Sequence, residues 1–171
     1  MKIAFYHVDL NYIDYLKKYE TKRRGFTRVP NVQYQSGNNK FFYGTVLTIE
    51  GMNYFVPISS KIHNRQDDII INTNDKFKSK SGTLRFMYML PIPKKCLSFL
   101  DLSQVQNYTQ KERIRKELAF CRRNKDKIEK QAKHTYERIA NRINDDLVRS
   151  SCDFKLLEKA YREYCEMFGI E

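Results

Sequence analysis

The apolar residues of this chain change their period half-way along, and no other feature limits its possible folds as much. Up to Ile92 they lie in short aromatic and β-branched runs broken by turn residues; beyond Thr109 they recur every three or four positions. In the first half, Lys2 to Val8, Tyr43 to Ile49, Tyr54 to Ile58, Asp67 to Ile71 and Leu84 to Leu90 read as strands. The second and third flank Glu50-Gly51-Met52-Asn53 in a hairpin pattern, and Pro91-Ile92-Pro93 stops the fifth. Tyr12, Ile13, Tyr15, Leu16 and Tyr19 predict a short amphipathic helix over Asn11 to Tyr19. A long loop follows from Thr21 to Asn39 and carries the basic run Lys22-Arg23-Arg24.

In the second half, Thr109-Gln110-Lys111-Glu112 reads as a capping box that opens a helix. Ile114, Leu118, Cys121, Ile128, Ala132, Tyr136, Ile139, Ile143 and Leu147 then continue one face to about Val148, as one long helix or two joined near Asn124. Glu112 and Lys116 stand at a pairing offset, and a last helix begins near Asp153. Strands followed by helices predict an α+β fold, and 171 residues suit a single domain over 1-171. Tyr15, Tyr43, Tyr54, Tyr136 and Tyr161 sit at core-directed periods.

A formal net charge of +12 points to a polyanionic partner. The exposed helix faces supply Arg113, Lys116, Arg122, Arg123, Lys127, Lys130, Lys133 and Arg142, and the loops add Lys22, Arg23, Arg24, Lys76, Lys78 and Lys80. Tyr12 and Tyr108 are candidates for stacking on bases. The same cations also read as a solvated surface relieved by neighbouring Glu and Asp. The amino-terminal segment has no apolar signal region and no run reaches membrane-spanning length, which predicts a cytoplasmic protein with no membrane partner. Cys96, Cys121, Cys152 and Cys165 form no CxxC pair and read as free thiols; the scattered His7, His63 and His134 suggest no metal site, and no cofactor is expected.

Chemistry concentrates in Pro57-Ile58-Ser59-Ser60-Lys61-Ile62-His63-Asn64, where two hydroxyls, an ammonium and an imidazole follow a strand. Strand ends project side chains from a rigid sheet into the loop region, where binding and catalytic groups are common. On composition alone Ser59 and Ser60 are turn hydroxyls bonded to local backbone, Lys40 and Lys61 solvated edge charges, and His63 a loop histidine.

Several segments, in order and spacing, resemble the endoribonuclease toxins of type III toxin-antitoxin systems, the family of ToxN, AbiQ and CptN. They are Tyr12-Ile13-Asp14-Tyr15-Leu16, Val29-Pro30, Lys40-Phe41-Phe42-Tyr43-Gly44-Thr45-Val46-Leu47, Tyr54-Phe55-Val56-Pro57-Ile58-Ser59-Ser60-Lys61, Met89-Leu90-Pro91-Ile92-Pro93 and Cys152-Asp153-Phe154-Lys155-Leu156-Leu157-Glu158. The resemblance implies a strongly twisted, barrel-like antiparallel sheet flanked by helices. It implies metal-independent cleavage of single-stranded cellular RNA at adenine-rich sites, leaving a 2′,3′-cyclic phosphate and a 5′ hydroxyl. It also implies that a folded, repeat-derived antitoxin RNA inhibits the protein, is trimmed by it, and joins it in a closed assembly. By position the family site maps to Tyr34, Lys40, Ser59, Ser60 and Lys61. This chain has serine at position 59 where the family often has threonine, and lacks the proline that often precedes the lysine, which removes a constraint on Lys61.

On that reading Lys40 and Lys61 would stabilise charge on the phosphate, Ser59 and Ser60 would hold the phosphate or the 2′ hydroxyl, and Tyr34 or His63 would move protons. A noncatalytic RNA-binding module shares the charge and aromatics but has no need of this constellation. A DNA-binding protein built on the long helix ranks lower, because neither a helix-turn-helix signature nor a dimer zipper is present.

Overall fold

The runs of the first half assemble into one antiparallel sheet. The computed structural model describes residues 2–33, 39–73 and 80–170. Its strands are β1 (Ala4–Val8), β2 (Phe42–Ile49), β3 (Met52–Ser59), β4 (Asp68–Asn72), β5 (Lys80–Arg85), β6 (Leu90–Pro91) and β7 (Leu97–Phe99). They lie in the order β4-β5-β3-β2-β1-β7, with β6 also paired to β3. The hairpin turn is tighter than its sequence suggests: only Glu50 and Gly51 separate Ile49 from its partner Met52, and both have positive φ, at 48° and 82°. That backbone pair matches the twist of the strands it joins.

Among the described residues β4 and β7 do not pair, so the barrel-like closure implied by the resemblance is absent and the sheet stays open. The three-residue β7 gives way almost at once to the single helical turn Leu102–Gln104. The strand expected over Leu84 to Leu90 is split by another such turn, Phe86–Tyr88, which buries Phe86 and Met87.

The helices are α1 (Leu10–Arg24), α2 (Tyr108–Arg123), α3 (Lys125–Ala140), α4 (Asp145–Ser150) and α5 (Phe154–Phe168). Helix α1 runs past Tyr19 to Gly25, so Lys22, Arg23 and Arg24 form its last turn and not a loop; cations there complement the helix dipole. Helix α2 opens on Asn107, whose side chain accepts from the Gln110 backbone N–H at 2.9 Å, so Thr109 is not the cap. Glu112 grips Arg115 at 2.9 Å. The long apolar period breaks at Asn124 and again after Ala140, and Ile143, 68% exposed, leaves the core face.

The core is strongly aromatic, with Phe5, Phe42, Tyr43, Tyr54, Phe55, Phe86 and Phe154 fully enclosed. Tyr12 belongs there too. Its hydroxyl donates to the Pro91 carbonyl at 2.6 Å, so it is not available to stack on RNA. Tyr54 and Tyr136 donate to the buried carboxylate of Glu158 at 3.0 and 2.6 Å. Tyr15 and Tyr161 are half-buried. All four cysteines are free; only Cys165 is not fully buried.

A second buried carboxylate, Glu20, ties the two ends of the fold together. It accepts from Arg24 and from the Thr27 hydroxyl, both at 2.6 Å, from the Arg28 backbone N–H at 2.8 Å and from the Asp153 backbone N–H at 3.0 Å. Arg24 also donates to the carbonyls of Ser151 and Val148, so it is committed within the fold and is withdrawn from the RNA-facing set. Replacing Glu20 by alanine strands a buried guanidinium and several N–H groups, and is expected to cost about 3–5 kcal/mol. A fall in the urea midpoint with unchanged m-value is the measurement that checks it.

Candidate active site

Strand β3 ends at Ser59, directly opposite Thr83 of β5. The approach is close: a Cβ on Gly82 would lie 2.7 Å from the Ser59 carbonyl oxygen, so only glycine allows β5 to reach this end of β3. The paired residues then hold the departing chain. Ser59 Oγ accepts from the Lys61 backbone N–H at 3.2 Å, while Thr83 Oγ1 donates to the Lys61 carbonyl at 2.9 Å and accepts from the His63 N–H at 3.0 Å. The loop thereby curls back and sets His63 Nε2 against Ser59 Oγ at 3.2 Å. At its far end Asp67 is anchored to Arg138 of α3 at 2.7 Å.

Lys40 lies just ahead of β2, the neighbouring strand. The Ile58 N–H donates to the Phe41 carbonyl at 3.2 Å, which sets Lys40 alongside the end of β3. Burial pushes the Lys40 ammonium below its ordinary pKa, and the positive charges of Arg85 and Lys61 push it further. The His63 imidazole is lowered by burial and then by Arg85, against an opposing pull from Asp68. Arg85 pairs with Asp68 at 3.2 Å and lies 4.8 Å from the Tyr88 ring centre. Burial raises the Asp68 carboxyl, and Arg85 opposes the shift.

The two serines part company. Ser59 is buried and bonded to its own loop, as a turn hydroxyl would be, whereas Ser60 is exposed and lines a cleft of about 1130 Å3 together with Lys40, His7 and Glu117. The ring of His7 engages the backbone of Lys40, and burial lowers its pKa. Sequence reasoning passed over His7, Asp68, Thr83, Arg85 and Glu117. Arg85 left one signal, a lone cation at the head of an apolar run, but the others come together only through β3–β5 pairing and α2 packing. Tyr34 lies outside the described residues. Among those described, no group of three or more His, Cys, Asp or Glu could hold a metal ion, and no helix is long and apolar enough to cross a membrane.

A sequence profile described as Toxin ToxN, type III toxin-antitoxin system, matches residues 4–162. The chain belongs to the ToxN toxin family. It is 32% identical over 172 residues to the Endoribonuclease ToxN of Pectobacterium atrosepticum, covering 95% of this chain and 94% of that protein. It is 30% identical to the Endoribonuclease AbiQ of Lactococcus lactis subsp. lactis, covering 92% and 87%. It also resembles the solved structure described as "A processed non-coding RNA regulates a bacterial antiviral system", with TM-score 0.77, 28% identity, and coverage of 94% of this chain and 98% of that one.

The cations that sequence assigned to RNA in this ToxN-family chain are unevenly placed. Lys22, Arg23, Lys80, Arg113, Arg122, Arg123, Lys127, Lys130 and Lys133 are exposed, and Lys116 is half-buried. Arg23 packs over the Tyr19 ring at 3.4 Å, and Arg142 pairs with Asp153 at 3.3 Å. Lys130 and Lys133 share a shallow groove with Asp126 and Glu129. Tyr108, at the start of α2, is 77% exposed and keeps its ring available for stacking. Lys76 and Lys78 lie outside the described residues.

Replacing Arg85 by glutamine removes a positive charge near His63 and leaves Asp68 uncompensated, and both changes favour the imidazolium. The His63 titration midpoint, below 6.5 in the parent, is expected to rise in this variant, as read by NMR of the ring carbons.

Proposed function

We propose that this chain is an endoribonuclease toxin that cleaves single-stranded RNA by attack of the 2′ hydroxyl on the adjacent phosphorus. The observation that carries the reading is that Lys40 and the exposed Ser60 line one cleft, while Ser59, next to Ser60 in the chain, is hydrogen-bonded to His63. The endoribonuclease names of its ToxN and AbiQ relatives support it. RNA brings its own nucleophile, so the protein must align that hydroxyl, take its proton, neutralise the phosphorane and protonate the leaving oxygen, and none of these tasks needs a metal.

Ser59 accepts from the Lys61 N–H, and with His63 neutral and unprotonated at Nε2 it donates its own proton to that nitrogen. As the bond from O2′ to phosphorus forms, the 2′ proton passes to Ser59 Oγ and the Ser59 proton to His63. Lys40 and Lys61 neutralise the phosphate, Ser60 donates to a phosphate oxygen, and the bond to O5′ breaks. Lys40, made more acidic by burial and by its cationic neighbours, protonates the departing O5′. The products are a 2′,3′-cyclic phosphate and a 5′ hydroxyl. Tyr34, matched by family resemblance, is the alternative proton donor.

The partner is a folded, repeat-derived antitoxin RNA that lies across the cleft and excludes substrate, is trimmed by the same site, and joins the protein in a closed assembly in the cytoplasm. Exposed cations on α2 and α3 would hold its phosphates. The relative solved as "A processed non-coding RNA regulates a bacterial antiviral system" supports an RNA partner. A noncatalytic RNA-binding module would have no use for a hydroxyl paired with an imidazole beside a desolvated lysine.

Purified protein incubated with mixed single-stranded RNA in EDTA should give fragments with cyclic phosphate ends, and His63→Ala or Lys40→Ala should slow cleavage about 10²- to 10⁴-fold. Retention of the parental rate by both folded variants would remove the assignment. The reaction needs neutral His63 and charged Lys40. The acid limb of the rate should therefore fall below 6.5 and the alkaline limb below 10.5, with His63→Ala abolishing the first. Replacing Arg122 and Arg123 by alanine should reduce the slope of log affinity for antitoxin RNA against log salt by about 0.7–0.9 for each phosphate that the variant no longer neutralises.

A further inference from the structure

The cleft continues well past the groups that would handle a phosphate. From Lys40 and Ser60 it runs to a wall made by the end of β7 and the segment leading into α2, where Phe99, Gln106 and Gln110 line it. At about 1130 Å3 it has room for more than the reacting phosphate and its ribose.

The chemistry of this wall is unlike that of the rest of the surface. The chain has a formal charge of +12, yet the charged residues lining the cleft are two cations, Lys40 and Arg113, and two anions, Asp101 and Glu117. Away from Lys40 and Glu117 the cleft carries one charge of each sign, Asp101 and Arg113, and a balanced, amide-bearing wall suits an uncharged base. The side chains of Gln106 and Gln110 take part in no hydrogen bond among the described residues, although other amides nearby are engaged: Asn107 caps α2 and Gln104 donates to Ser103 at 3.3 Å. Phe99 is 51% exposed on the edge strand, its ring held edge-on to Tyr6 at 6.2 Å between centres. The Lys2 ammonium lies 5.1 Å from the centre of the Phe99 ring, on one face, and a half-exposed aromatic ring in the same cleft as two amides is the equipment for reading an unstacked base along its edge.

We propose that this wall is a base-reading subsite. Phe99 stacks the nucleobase next to the scissile phosphate, and Gln106 and Gln110 hydrogen-bond its edge, so these three side chains set the sequence selectivity of cleavage. The proposal rests on the ribonuclease reading for its position in the reaction, but base binding itself needs no cleavage.

The test uses nucleosides, which carry a base and no phosphate. Isotopically labelled full-length protein is titrated separately with millimolar adenosine, guanosine, cytidine and uridine while the side-chain amide signals of Gln106 and Gln110 are followed by NMR. At least one nucleoside should move both signals and should do so more strongly than another. Phe99→Ala and Gln110→Leu should each weaken that binding about tenfold. On a randomised single-stranded RNA, Gln110→Leu should lose the base preference of the parent at one position beside the cut. Four nucleosides that leave both signals unmoved would overturn the subsite, as would a Gln110→Leu cleavage profile identical to that of the parent. Nucleoside binding by a parent that cleaves no RNA would sink the proposed reaction and leave the subsite standing.

Discussion

Strand β3 is hydrogen-bonded along both edges: to β2 from Met52 to Pro57 on one side, and to β6 at Tyr54 and Phe55, then β5 at Ile58 and Ser59, on the other. All but Asn53 of its residues are buried, so both faces are covered as well. A slip of one residue would exchange those faces, and a strand covered on every side has no slack to absorb it. This fixed register is what sets Ser59 opposite Thr83, and the loop from Ser60 to Asp67 takes its course from that pair. The bond from Ile58 to Phe41 brings Lys40 to the same place. Three chain segments far apart in sequence thus meet because a single strand cannot move.

The cost of the arrangement is electrostatic. Burial depresses the Lys40 ammonium, the positive charges of Arg85 and Lys61 depress it further, and Arg85 is itself engaged by Asp68. Like charges brought near one another around a partly desolvated lysine oppose folding, and an incoming phosphate would relieve them. A field that would stabilise a phosphorane would also attract any RNA backbone. Selection among RNAs must then come from groups other than the cations, which gives the amide and aromatic wall of the cleft its interest.

Local chemistry made much of this readable from sequence. The hairpin, the start of α5 near Asp153 and the strand runs rest on neighbours within a few residues, as does the cluster from Ser59 to His63. The misreadings are nonlocal. Tyr12 carries a phenol at helical spacing, and nothing nearby says that its hydroxyl will meet Pro91 across the core. Arg24 reads as part of a basic run, yet Glu20 and two distant carbonyls claim it. Thr109 and Glu112 have the spacing of a capping box, but the helix opens two residues earlier, where the Asn107 side chain accepts from the Gln110 N–H. Whether the sheet closes depends on edges that meet only in three dimensions.

The bonds that complete the core span most of the chain. Asp153 reaches Glu20 across 133 residues, Glu163 accepts from Tyr19 across 144, and Glu158 accepts from Tyr54 across 104. A growing polypeptide on the ribosome can form the β2–β3 hairpin early, but Glu20 and the phenols of Tyr19 and Tyr54 lack these partners until α5 has emerged. Pairings of such long sequence separation close last. A protein hostile to RNA is thus made beside the ribosome and its messages as a chain whose core is unfinished until α5 has emerged.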